Sequence, residues 1–313
     1  MVDVDICIVN WNTKDLLKSC LTSIFGQTEG INYRVWVVDN GSTDGSPQMV
    51  EQEFPGVRLI RNPQNVGFTK ANNQVLRSCS GRYVLLLNSD TDLVGNAVKG
   101  MADFMDTRPD TGACGCMVLN KDGSLQLSCG RFPGLASIFF GGVTCNRIFK
   151  RIFGDRVFFA EFGLTEQDHH VVREADFVKG CCIMLRKSSV EKIGFMDEGI
   201  FMYFEEIDLC YRLKQAGEKV MYTPHEQIVH LGGQSARLSD AVVARRLQGQ
   251  EYFFRKHYGS GEALCLRWIV AVGSILRLLF FPVAYCFAGM EKRPVLKSKL
   301  AWSVCTLKCL FRS

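Results

Sequence analysis

Residues Val84-Leu85-Leu86-Leu87 form an apolar run with no polar interruption, and it stops abruptly at Asn88-Ser89-Asp90-Thr91-Asp92. A strand of that kind must be covered on both faces, which places it in the middle of a sheet. Similar runs precede it, each followed by a helix-period segment. Val4 to Asn10 reads as a first strand, and Lys14 to Phe25 as a helix with Leu16, Leu17, Cys20, Leu21, Ile24 and Phe25 in phase. Tyr33 to Asp39 is a second strand, and Ser46-Pro47 opens the next helix with a cap residue and a first-turn proline. Val57 to Arg61 is a third strand, Gly67 to Cys79 a helix, and Arg82 to Asn88 the fourth strand. This alternation predicts an α/β fold, a mostly parallel central sheet with helices on both faces.

Open sheets of this class bind ligands beyond the carboxyl ends of their strands. The first strand ends in Asn10-Trp11-Asn12, the second in Asp39-Asn40-Gly41-Ser42, the third in Asn62-x-x-Asn65 and the fourth in Asn88 to Asp92. Four polar ends on one edge describe a polar cleft. Beyond about Ala113 the pattern shifts to short strands and turns, including Asn120-Lys121-Asp122-Gly123, and then to an aromatic stretch running through Phe162. Insertions of that kind often build acceptor recognition. Phe177 to Leu185 reads as one further apolar strand, followed by a helix over Ser188 to Ile193. Phe204-Glu205-Glu206-Ile207-Asp208-Leu209 opens another helix, which Gly217 can terminate.

Asp90-x-Asp92 at the end of the most buried strand is the central chemical feature. Two carboxylates one residue apart can face one hard cation where the backbone turns, and Mg²⁺ or Mn²⁺ would then bridge them to a diphosphate. Taken alone, such a pair more often caps a turn or a helix start; its place level with Asp39 favours the cation. Asp39 enters a turn that frees its carboxylate to face a nucleobase N–H or ribose hydroxyls, with Asn10 and Asn12 beside it. Glu205, Glu206 and Asp208 form the candidate acid-base cluster, since a carboxylate near like charges can be raised toward general-base duty. Acidic residues also simply favour helix N-termini. His230, before Gly232-Gly233, is a candidate third metal ligand or phosphate contact, although a histidine after a strand is more often structural. Neither a Walker loop nor a Gly-x-Gly-x-x-Gly fingerprint is present.

Val9-Asn10-Trp11-Asn12, Val37 to Ser42 with Asp44, Asn65-x-Gly67-Phe68-x-x-Ala71-Asn72-Asn73, Leu87-Asn88-x-Asp90-x-Asp92, Tyr203 to Leu209 and His230 together resemble family 2 glycosyltransferases of the GT-A fold, with the bacterial rhamnosyltransferase-like branch nearest. The likeness covers roughly residues 3 to 258. It implies a nucleotide-diphosphate sugar donor (dTDP- or UDP-linked), a divalent metal at Asp90 and Asp92, and inversion by direct displacement. Where the family often shows Glu-Asp this chain has Glu205-Glu206, so the base role falls on Glu206 with Glu205 as the alternative, and Asp208 supports the helix or orients the base. By the same resemblance Gly67, Asn72 and Asn73 shape the donor pocket, and Gly180 lines the acceptor side. The implied product is a surface polysaccharide, made by transfer of rhamnose or another hexose to a glycan or lipid-linked glycan.

The 14 cysteines are scattered through apolar runs such as Ile6-Cys7-Ile8 and read as buried thiols rather than a disulfide or zinc framework. Asp3 and Asp5 stand where a secretory leader would begin, so a reducing cytoplasm is expected. After Gly261 the chain turns apolar and basic. In Trp268 to Met290 the apolar residues favour insertion, while Arg277 opposes it by about 3 kcal/mol, giving a sum near zero. A single span or a surface-lying segment at the cytoplasmic face of a bacterial inner membrane is expected, with Lys297, Lys299, Lys308 and Arg312 meeting anionic lipid. The domain reading is therefore a catalytic domain over 1–260 and a helical membrane-associating segment over 261–313, with a homo-oligomer left open. Two other functions are open to such a chain. A nucleotidyltransferase should carry a basic Gly-rich loop where Trp11-Asn12-Thr13-Lys14 stands, and an inactive carbohydrate-binding relative should have lost one of Asp90, Asp92 and Glu206. No basic face interleaved with aromatics supports nucleic-acid binding.

Overall fold

A computed structural model describes residues 2–139, 164–231, 240–287 and 293–311. Their contacts divide the chain into two compact units, one of residues 1–132 and 165–235, the other of residues 133–164 and 236–313. In the first unit the elements run β1 Val4–Asn10, α1 Lys14–Gln27, β2 Tyr33–Asp39, α2 Ser46–Glu53, β3 Arg58–Arg61, α3 Phe68–Leu76, β4 Tyr83–Asn88, β5 Thr91–Val94 and α4 Ala97–Asp106. They continue with β6 Thr111–Leu119, β7 Leu125–Gln126 and β8 Cys129–Gly130. In the second unit α5 is a single turn, Leu135–Ile138. The first unit resumes with β9 Arg173–Glu174, β10 Phe177–Val178, β11 Cys182–Arg186, α6 Lys187–Ile193, α7 Glu205–Gln215 and β12 Lys219–His230.

The main sheet has the order β3-β2-β1-β4-β11-β6-β12-β5, with β7 on β6 and β9 on β12. Its first half is parallel, and β12 also runs parallel to β6; β11 enters antiparallel between β4 and β6. Register is what builds the site. Asn10 lies opposite Asp39, and Val9 opposite Asn88, so the polar ends of β1, β2 and β4 are level on one edge.

Both faces of these strands are covered, as the unbroken apolar runs require. Ile6, Ile8, Leu85 and Leu87 share a buried cluster with Leu17, Leu21 and Ile24 of α1 and Val98, Met101 and Met105 of α4. The alternate residues Cys7, Val38 and Leu86 are equally inaccessible, as are Ala71 and Val75 of α3 and Leu209 and Leu213 of α7. Burying a Leu or Ile side chain contributes roughly 1.5–3 kcal/mol, so this double-sided packing dominates stability. The thiols follow suit: Cys7, Cys20, Cys114, Cys116, Cys181, Cys182 and Cys210 are buried and free.

One expected element is split. The run from Phe177 to Leu185 is not a single strand, because the chain leaves a two-stranded sheet with β8 after Val178 and enters the main sheet at Cys182. Hydrophobicity alone cannot register such a switch, since both pieces are buried. The turn between them, Lys179-Gly180-Cys181, is where the candidate base lies.

The second unit holds α8 Asp240–His257, α9 Ser260–Phe287 and α10 Arg293–Phe311. Ser260–Pro282 is long and apolar enough to cross a membrane, with mean hydropathy 2.0. Ala263, Leu266, Ala271 and Ser274 are buried, whereas Leu264, Trp268, Val272, Ile275 and Leu279 form an exposed stripe at helical spacing. The aromatic stretch from Phe140 to Phe162, Gly232-Gly233, Met290 and Arg312 lie outside the described residues.

Candidate active site

The β1 and β2 ends are tied together by polar side chains. Asn10 is fully buried; its Nδ2 donates to Asp39 Oδ1 at 2.9 Å and to Ser42 Oγ at 3.1 Å, and its Oδ1 accepts from Thr13 Oγ1 at 2.7 Å. Asp39 Oδ2 accepts the Ser42 N–H at 2.9 Å. Thr13 reaches on to Ser89 Oγ at 2.9 Å, which links this corner to the end of β4. Asn12 sits at φ 54°, a left-handed value that asparagine tolerates. Its Oδ1 accepts the Thr43 N–H at 2.8 Å, knotting the two loops. Trp11 between them is 46 % exposed. Ser42 and Ser89 fall within the polar strand ends, whereas Thr13 carries no such mark, because a short hydroxyl residue after a strand looks like an ordinary turn former.

Gly67 and the asparagines of α3 are engaged with the protein itself. A side chain at Gly67, φ +94°, would meet the Phe201 ring at 2.8 Å and its carbonyl at 2.9 Å, so glycine here admits the loop that carries Phe201. Asn72 spends its amide inside the protein, with Nδ2 donating to Phe68 O at 2.9 Å and Oδ1 accepting from Cys7 Sγ at 3.3 Å. Asn73 bonds both main-chain groups of Met196, at 2.9 and 3.0 Å. Asn72 and Asn73 thus tie α3 to β1 and to the loop at Met196.

At the far end of β4, Asp90 meets His230. Asp90 Oδ1 lies 3.3 Å from His230 Nε2, with only 8 % and 15 % of the two side chains exposed. The ring's protonation follows from its other neighbour. Gln126 Nε2 donates to Asn120 Oδ1 at 2.7 Å and to His230 O at 3.0 Å, so its Oε1, 2.9 Å from His230 Nδ1, accepts the ring proton. With Nδ1 turned to Gln126, Nε2 is the ring nitrogen that faces the carboxylate oxygen, where it either donates its own N–H to Asp90 or, with that proton displaced, shares a cation with it. Bonds of about 2.1 Å in an octahedron put adjacent ligand atoms about 3 Å apart, close to the observed gap, so the pair fits a divalent ion. Gln126, which aims the ring, was missed because nothing in its local sequence separates it from a turn residue.

Asp92 does not join them. In β5 it pairs with Val229, one step out of phase with Thr91 opposite His230, and its Oδ1 accepts from Ser19 Oγ of α1 at 2.8 Å. It lines a surface hollow with Asp15, Lys18 and Thr22. Among the described residues no cluster of three or more His, Cys, Asp or Glu is set to hold a metal. Of the three residues expected at a metal, Asp90 and His230 meet and Asp92 lies apart from them. The physical reason is that β5 begins only at Thr91: Asp90 sits in the turn before the strand and faces His230, whereas Asp92, inside β5, faces Ser19 of α1.

Glu205 and Glu206 occupy the first turn of α7, approached through Tyr203 and Phe204 at φ 70° and 72°. Two successive non-glycine residues in the left-handed region cost roughly 1–2 kcal/mol each and are held only by surrounding structure. Glu206 packs against Gly180, where an added Cβ would lie 3.4 Å away, and its carboxylate accepts the Gly180 and Ile207 N–H groups. Burial raises Glu206 above the ordinary carboxylate range, while those N–H groups and the charge of Lys179 oppose the rise. Glu205 is pushed up further, by burial and then by the Glu206 charge. Of these two adjacent buried carboxyls Glu205 therefore gives up its proton less readily than Glu206. The Oε2 atoms of both are buried without a hydrogen-bond partner among the described residues.

Asp208 is fully buried and answers Arg212, whose Nε donates to it at 2.8 Å while the rest of the guanidinium bonds Ile193 O, Gly194 O and Phe195 O. Through Arg212 it braces the loop before α7. Asp208→Asn should lower the unfolding free energy by about 3 kcal/mol, since it strands a largely buried guanidinium. A loss under about 1 kcal/mol in urea titration would contradict that bracing role.

Among known proteins, the model of Glycosyl transferase family 2 matches residues 5–194. An N-acetylglucosaminyl-diphospho-decaprenol L-rhamnosyltransferase of Mycobacterium tuberculosis is 28 % identical over 256 residues, spanning 78 % of this chain and 81 % of that protein. The rhamnosyltransferase WbbL of Escherichia coli K12 is 26 % identical, over 72 % of this chain and 83 % of its own. Among solved structures, the mannosyltransferase PcManGT from Pyrobaculum calidifontis, in complex with GDP-Man and Mn²⁺, aligns with a TM-score of 0.61 at 15 % identity, covering 99 % of this chain and 87 % of that one.

Proposed function

Because the chain belongs to glycosyl transferase family 2, with a GT-A-like fold and rhamnosyltransferase relatives, we propose that it transfers rhamnose or a related hexose from a nucleoside diphosphate to a lipid-linked glycan, with inversion, in surface polysaccharide synthesis. The observation that carries this reading is the meeting of Asp90 with His230 Nε2 on the same strand edge as Asp39.

In this reading Asp39, braced by Asn10 and Ser42, recognises the nucleoside, and Asn12 fixes the loop around it. Asp90 and His230 hold Mg²⁺ or Mn²⁺. When bound, that ion neutralises charge on the departing diphosphate. Glu206, ionised and presented by Gly180, takes the proton of the acceptor hydroxyl as it attacks the anomeric carbon. Glu205 keeps its neighbour's charge local by remaining protonated. A mannosyltransferase of related fold binds a nucleotide sugar with Mn²⁺, and a relative is named for a decaprenol-linked substrate, which supports this choice of donor, ion and acceptor class.

The test is a panel of dTDP-, UDP- and GDP-sugars with Mg²⁺ or Mn²⁺, read as nucleoside diphosphate released. Release of pyrophosphate would instead identify a nucleotidyltransferase, and no release with any donor would favour a binding protein. The exposed stripe of α9 supports membrane attachment by the second unit. The full chain should float with vesicles containing anionic lipid, and Trp268→Glu with Leu279→Glu should leave it at the bottom of the gradient. Equal flotation of both chains would refute attachment through that stripe.

A further inference from the structure

His169 is fully buried, carries two main-chain bonds on one ring nitrogen and belongs to none of the groups above. It lies in a short 3₁₀ turn, Gln167–His170. Its Nδ1 is 2.9 Å from Thr165 O, a carbonyl that can only accept, so the ring proton sits there. Nε2 is then an acceptor, and it takes the N–H groups of both Ser128 and Cys129, at 3.1 and 3.3 Å. Burial holds the ring below the ordinary histidine range, in keeping with a neutral imidazole. The ring's surroundings are Asp168, Arg173 and Lys179 as charges, the Cys129 thiol at 3.4 Å and the Tyr222 ring edge-on at 5.4 Å. Tyr222 Oη also donates to the His169 carbonyl at 2.9 Å.

What the ring holds is two hydrogen bonds away from the candidate base. Ser128 O accepts the Lys179 N–H at 2.8 Å, and Cys129 pairs with Val178 across the β8–β10 sheet. The next residue, Gly180, donates its N–H to Glu206. A continuous main-chain path thus runs from His169 Nε2 through Ser128 and Lys179 to the Glu206 carboxylate. The path leads through the turn at which the chain changes sheets, where the main-sheet ladder does not reach.

We propose that neutral His169 is a positioning residue for the transfer reaction: by accepting the Ser128 and Cys129 N–H groups it fixes β8, and through it the Gly180 N–H that orients Glu206. This rests on Glu206 being the base. Loss of the Nε2 acceptor strands two buried donors and frees the Lys179-Gly180 turn to shift. A displacement of the order of 1 Å at the reacting group costs about 100-fold in rate.

Two substitutions isolate that atom. In His169→Asn the amide overlays Nδ1 and can still reach Thr165, but nothing stands where Nε2 stood. In His169→Gln the amide oxygen reaches the Nε2 position. The asparagine chain should lose about 100-fold in kcat with donor KM within about twofold, and the glutamine chain should recover at least about tenfold of that loss. Equal impairment of the two, or a loss confined to donor KM, would overturn the proposal. Glu206→Gln, assayed alongside, separates the two ideas: if it turns over normally the base assignment fails, whereas if it is dead while His169→Asn is normal only the positioning role fails. Should the asparagine chain not fold, the glutamine chain decides alone. Retention of more than about a tenth of wild-type kcat supports the role, and less refutes it.

Discussion

Glu206→Gln should abolish sugar transfer while leaving the chain folded and able to bind its nucleotide. The amide preserves the volume against Gly180 but removes the charge that would take the acceptor proton, and a general base contributes about 10² to 10⁴ in rate. Burial raises Glu206 above the usual carboxylate range, so its ionised form is lost as pH falls, at a higher pH than for an exposed glutamate. Wild-type kcat should therefore decline on the acid side starting above that range. Glu205→Gln should act differently. It replaces a group already protonated, so most activity should survive, and the Glu206 charge, relieved of a like neighbour, should shift the acid limb downward. A Glu206→Gln chain with near-normal kcat, or a Glu205→Gln chain as inactive as Glu206→Gln should be, would reverse the assignment.

Asp90→Asn should cost more than about 100-fold in kcat, equivalent to a few kcal/mol of leaving-group stabilisation, whereas Asp92→Asn should remain within about fivefold of wild type. The contrast rests on direction. Asp90 faces His230 Nε2 at 3.3 Å, and Asp92 answers Ser19 on α1. Isothermal titration with Mn²⁺ and nucleoside diphosphate should show weak ion binding in Asp90→Asn and in His230→Ala, and unaltered binding in Asp92→Asn. Gln126→Leu should weaken it about tenfold by releasing the ring. Equal losses in the Asp90 and Asp92 variants would mean that the loop rearranges when a donor binds.

Much of this site could be read before any coordinates, for a reason particular to parallel strands. Their apolar runs are unbroken, so the first polar residue marks the strand end, and level ends follow from register; Asn10, Asp39 and Asn88 came out this way. What could not be read depended on direction or on distant partners. Asp90 and Asp92 look equivalent in sequence, but Asp90 lies in the turn before β5 and Asp92 inside the strand, so their side chains meet different partners. Gly180 could be marked as a small residue, yet the sheet change around it leaves no trace in an apolar run of constant character. Asp208 looked as acidic as its neighbours until Arg212 supplied a buried countercharge from one turn along the same helix. Gln126 and His169 carry no local signal, since each matters through a bond to residues about 104 and 41 positions away in the chain.

The left-handed pair Tyr203–Phe204 has a bearing on how the chain reaches its native state. An isolated segment would abandon those dihedrals, so the turn has to be imposed from outside. The agents are the Phe68 N–H on Phe201 O, Asn73 on Met196, and Arg212 on three carbonyls of residues 193–195. All but the last bridge more than 120 residues of chain and cannot form until α3 has docked on the sheet. The glutamates are thus presented only at the end of folding, and a partly assembled enzyme would have its β-scaffold while lacking a competent base.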